Sequence, residues 1–79
     1  MNLAELSPGV DAVIEALELS ESDAQRLMEF GFIPGMAVGC SCRSPLGDPV
    51  IYQIDGSEVA LRLETARQIT IRLEALAVS

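Results

Sequence analysis

Turn signals at Pro8-Gly9, Pro34-Gly35, Gly47-Asp48-Pro49 and Asp55-Gly56 cut the chain into pieces suited only to brief strands and one compact helix. Between these breaks the apolar residues mostly alternate. Met36, Val38, Cys40 and Cys42 alternate with Ala37, Gly39, Ser41 and Arg43, which predicts a strand with one apolar face. Asp55-Gly56 folds "VIYQID" back onto "EVALRL" as a hairpin, with Val59, Leu61 and Leu63 on one side and Ala60 and Arg62 on the other. "ITIRL" is the last strand, with Ile69, Ile71 and Leu73 inward and Thr70 and Arg72 outward. "VDAVIEALEL" reads as the first strand, with Val10, Ala12, Ile14 and Ala16 on one face and Val13 and Leu17 on the other. A helix is the alternative there, because Ala, Glu and Leu favour one.

"SESDAQRLMEFG" is the clearest helix. Ser20 or Ser22 caps its start, Ser22 with Gln25 fits a capping box, and Glu21 and Asp23 suit the positive end of the helix dipole. Ala24, Leu27 and Met28 form its apolar stripe, and Gly31 supplies the left-handed residue that ends it. Phe32 and Ile33 are expected to pack back on the helix, and Pro34-Gly35 fits the centre of a type II turn. "ETARQ" allows one helical turn. The sum is mainly β: a small closed or nearly closed barrel of about five strands, with a capped helix at about 21–30 and a short helical turn at about 64–68. Residues 1–79 read as a single domain with its core at about 3–73, and residues 1–7 and 75–79 as tails.

Composition narrows the function. The 79 residues include 49% hydrophobic ones, which argues for a packed globule rather than a disordered acidic tail. Twelve carboxylates face five arginines, for a net charge of −7, so phosphate backbones and anionic membrane surfaces are repelled. Nucleic acid is therefore excluded as a partner, and no apolar run supports direct membrane insertion. With no histidine or lysine there is no Ser-His or Cys-His pair, no imidazole metal site and no Schiff base. The chain reads as no enzyme. Its start lacks a basic and apolar leader, which points to a cytoplasmic protein.

Three groups of residues then form a familiar order. They are Arg26-Leu27 followed by Phe30-Gly31-Phe32-Ile33-Pro34-Gly35; the loop Ser44-Pro45-Leu46-Gly47-Asp48-Pro49; and Ala60-Leu61-Arg62 followed by Glu64-Thr65-Ala66 and Ile69. In this order the chain, from about Leu3 to Leu73, resembles the FeoA family. The resemblance implies an SH3-like barrel and a non-enzymatic accessory role in ferrous iron uptake, through contact with a FeoB-type membrane GTPase transporter. It implies no required cofactor and leaves the oligomeric state open. The same barrel is similar to the C-terminal domain of some metal-dependent regulators, which carry a helix-turn-helix domain upstream; a chain beginning just before the first strand favours the free-standing form.

Several residues stand out as candidate sites. Leu46, Gly47, Asp48 and Pro49 form a stiff loop that either reverses the chain or presents Leu46 to a partner. Val13, Leu17, Met28 and Ile51 are apolar residues that need not all fit inside a small barrel. Gly31, Pro34, Gly35, Arg62 and Glu64 read as structural, with Arg62 expected to pair with Glu64 or Asp48 and so tie the loop to the hairpin. Cys40 and Cys42 project from one strand face about 6.5–7 Å apart. As reduced thiols they extend the apolar stripe, and a transition metal ion held there with acidic residues is the alternative reading.

Overall fold

The computed structural model describes residues 1–74, so the tail expected at 75–79 lies outside the described residues. The elements are a 3-10 turn at Leu3–Glu5, β1 (Asp11–Leu17), α1 (Glu21–Glu29), β2 (Ala37–Arg43), β3 (Val50–Ile54), β4 (Ser57–Leu61), α2 (Leu63–Ala66) and β5 (Ile69–Leu73). The strands form one antiparallel sheet in the order β4-β3-β2-β1-β5. The fold is mainly β, as the alternation predicts. "VDAVIEALEL" is a strand, beginning at Asp11, with Val10 left exposed.

Two bulges interrupt the alternation. In β1 the register with β5 slips between Ile14 and Ala16, so Glu15 is an extra residue and Leu17 packs against the core instead of the outer face. In β2 the register with β3 slips between Cys40 and Cys42, which leaves Cys40 buried and Cys42 exposed. Strict period-two reasoning assigns both positions to the wrong side. Leu73, opposite Ala12 at the end of β5, is half-exposed rather than inward.

Local chemistry sets the ends of α1. Ser20, not Ser22, is the cap: its Oγ accepts from the Asp23 N–H at 3.3 Å. At the other end the Gly31 N–H donates to the Met28 carbonyl and the Phe32 N–H to the Leu27 carbonyl, the paired bonds of a Schellman motif. Gly31 adopts φ 105 there, and Leu27 and Phe32 both enter the core. The Pro34-Gly35 turn is closed by the Met36 N–H on the Ile33 carbonyl at 2.9 Å.

The expected N-terminal tail is built into the fold. Leu3 and Leu6 are fully buried. The Tyr52 hydroxyl, itself buried, donates to the Leu3 carbonyl at 3.1 Å, and Arg43 donates to the carbonyls of Ala4 and Leu6 at 3.1 and 3.3 Å. Asn2 pairs with Thr70, and the Ile71 N–H donates to the Met1 carbonyl at 2.9 Å, so the segment covers the free edge of β5.

Burial pushes the Tyr52 hydroxyl from its ordinary 10.0 up to about 12. The folded state thus holds the phenolic proton more tightly than the unfolded state. That contribution to stability is complete below pH 10.0 and is lost as pH rises towards about 12. Tyr52→Phe is expected to cost about 1 kcal/mol at neutral pH by removing the bond to Leu3. It should also flatten the alkaline fall in stability. Denaturant titrations across that pH range check this; parallel profiles for both proteins would show that another group controls the alkaline limb.

Candidate functional site

The β2–β3 connection is a double-braced loop. The Gly47 N–H donates to the Ser44 carbonyl at 2.8 Å, and the Ser44 N–H to the Pro49 carbonyl at 3.2 Å. Pro45 fixes one corner, Gly47 takes φ 84, and Leu46 is left at the tip, 93% exposed. Asp48 completes the bracing: its Oδ1 accepts from the Leu63 N–H at 3.1 Å, at the start of α2. The tie between loop and hairpin therefore exists, but Asp48 makes it to the backbone. Arg62 is exposed and makes no ion pair among the described residues, and Glu64 contributes only its carbonyl, to Gln68 Nε2 at 3.2 Å.

The other apolar candidates do not join Leu46. Val13 is half-buried between Ala37 and Arg72, Ile51 is half-buried on β3, and Leu17 is partly buried against the core. Met28 lies by the β3–β4 hairpin, at the opposite end of β3 from Leu46. There it meets two exposed residues that sequence reasoning missed, Phe30 and Ile33. Phe32 packs back on the helix as expected; Ile33 does not. The signal was present: once Gly31 ends the helix, the Schellman contact sends Phe32 inward and leaves its neighbours outside.

Among the described residues, recesses shape the surface around α1 and the sheet. One of about 230 Å³ runs between α1 and β4, with Asp23, Arg26 and Arg62 on its rim. A second, of about 410 Å³, lies between the C-terminal end of α1 and the hairpin and is lined by Met28, Phe30, Ile33 and Val59. A third, of about 330 Å³, lies over the sheet face between Asp11 and Glu58.

The bulge decides what the cysteines can do. Burial pushes the Cys40 thiol up, partly offset by the Arg43 guanidinium, so Cys40 is held as a neutral core group. Cys42 points to solvent, and no group of three metal-ligating side chains occurs among the described residues. No described helix is long and apolar enough to cross a membrane.

Known proteins share this sequence and arrangement. A Porphyromonas gingivalis protein described as an Fe(2+) transport protein A/Fe(2+) transporter FeoB fusion is 38% identical over 73 residues. That match covers 92% of this chain but only 9% of the fusion protein's length. The solution structure of iron(II) transport protein A from Clostridium thermocellum is 36% identical and superposes with a TM-score of 0.87, over 92% of this chain and 45% of that one. A crystal structure of Stenotrophomonas maltophilia FeoA complexed with zinc, described as a procaryotic SH3 domain protein, is 31% identical, with a TM-score of 0.78 over 90% and 88% of the two chains. The FeoA domain model matches residues 1–73, the N-terminal segment and all five strands together, and on that match the chain belongs to the FeoA family.

Proposed function

We infer that this protein works on the cytoplasmic side, without catalysing a reaction, by docking onto a FeoB-type transporter. One observation carries the reading: in the Porphyromonas gingivalis relative the two parts are fused in one polypeptide. A tether keeps the parts at high local concentration, which serves contact between them. The contact is assigned to the braced loop, with Leu46 as its apolar anchor. A loop already held by Asp48 and by its own turn bonds loses little ordering entropy on binding.

The test is a binding titration against the soluble GTPase portion of a FeoB-type transporter, in chelator and then in ferrous iron. Saturable binding in chelator is expected, with Leu46→Glu weakening it by roughly tenfold or more, because an exposed charge cannot enter a desolvated pocket. Equal binding by the variant would return the loop to a plain turn. Absence of binding in both conditions would overturn docking through the GTPase portion. Binding only with iron would favour the alternative transition-metal reading, which has to work through Cys42 because the Cys40 thiol lies in the core.

A further inference from the structure

We propose that the recess between the C-terminal end of α1 and the β3–β4 hairpin binds a basic peptide segment carrying an apolar anchor residue. This site lies away from Leu46 and does not depend on the docking role assigned to it. Its apolar half gathers Phe30, Ile33 and Met28, which are 54%, 44% and 39% exposed, around a recess of about 410 Å³. Single exposed apolar residues are ordinary; a concave group of them marks a binding surface. The recess is preformed. A Cβ placed on Gly31 would meet the Asp55 Cβ at 3.3 Å, so the end of α1 is seated directly against the hairpin.

Charge identifies the occupant. Asp55 and Ser57 line both this recess and the one of about 330 Å³ on the sheet face, so the two flank the hairpin on either side. Glu29 stands on the apolar side, Asp11 and Glu58 on the other, and among the described residues no arginine lines either recess. Arg26 and Arg62 line the separate recess of about 230 Å³ between α1 and β4. An apolar side chain therefore fits between Phe30 and Ile33, while cationic neighbours in the same segment meet Glu29 and Asp55. Anionic or uncharged apolar segments lack that second half of the match.

The experiment titrates the isotope-labelled protein with a peptide in which one leucine is flanked by arginines, following backbone amide shifts. A control peptide carries glutamate in place of arginine. Shifts are expected to concentrate on residues 28–33 and 55–59, with no response to the control. Phe30→Ser should weaken binding by roughly tenfold or more, as loss of a central aromatic anchor does. Glu29→Gln combined with Asp55→Asn should weaken it and flatten its salt dependence; asparagine suits the φ of 49 at that turn, so the hairpin is retained. Leu46→Glu should bind the peptide normally. Shifts spread over all acidic surfaces, unchanged binding by Phe30→Ser, or no binding at all would each overturn the proposal.

Discussion

Leu3→Ala is expected to lower stability by about 2–5 kcal/mol, the range for truncating a fully buried leucine. For a domain of this size that corresponds to a fall of roughly 10–30 °C in Tm. The effect exceeds that of a typical terminal residue because Leu3 does two things at once. Its side chain fills the core, and its carbonyl accepts the hydrogen bond of the buried Tyr52 hydroxyl. Collapse around an alanine would pull that carbonyl away and leave the hydroxyl unpaired in the interior, at a cost of about 1–3 kcal/mol for a buried polar group. Removing residues 1–6 altogether should abolish cooperative unfolding, since Leu6 and the Arg43 contacts go with Leu3. Thermal melts followed by circular dichroism decide the matter. A Leu3→Ala melt within a few degrees of the parent would show that the strap rests on the core without supporting it.

Gly31→Val should be at least as damaging, by about 2–6 kcal/mol. A β-branched residue is strained at φ 105, and its Cβ would meet the Asp55 Cβ at 3.3 Å and the Ile54 Cγ1 at 3.5 Å. Ile54 is buried and Asp55 sits in a tight turn, so neither can yield cheaply. Gly47→Ala is the comparison. That glycine also has a positive φ, 84, but a Cβ there meets nothing within 4 Å. Its cost should stay near about 1–2 kcal/mol, from backbone conformation alone. Equal losses for the two variants would show that the helix end is not wedged against the hairpin, and denaturant midpoints measure the difference.

The parts of the fold set by local chemistry were legible in the sequence. Asp55-Gly56 made its hairpin, Pro34-Gly35 its type II turn, and Gly31 ended α1. Each signal is a backbone requirement that one or two residues satisfy alone. The parts that failed depend on partners distant in the chain. No property of Glu15 or Ser41 announces a bulge; the slip appears only when β1 meets β5 and β2 meets β3. The strap at Leu3–Glu5 looked like a tail because a single 3-10 turn has no stability of its own until Tyr52 and Arg43 engage it. The candidate site divided the same way. The braced loop around Leu46 was readable from Pro45, Gly47 and Asp48, whereas Asp48's partner was not, since Leu63 reaches it through the hairpin. Phe30 was missed although its signal is local: the Schellman turn at Gly31 sends Phe32 inward and leaves its neighbours outside.

The pairing of Asn2 with Thr70, and of β1 with β5, has a consequence for how the chain is made. The segment around Asn2 waits for the residues around Thr70 to be synthesised before it finds its place. At about 5–20 residues per second, that wait lasts seconds. Through it β1, α1 and the β2–β3–β4 meander hold their apolar faces open with the final strand still missing. Local pairing cannot shorten the delay, because the closing contacts are among the longest in sequence. Mutual repulsion among nascent copies, each carrying a strong excess of carboxylates, keeps them apart for those seconds. The acidic bias is thus useful to the chain before it is finished.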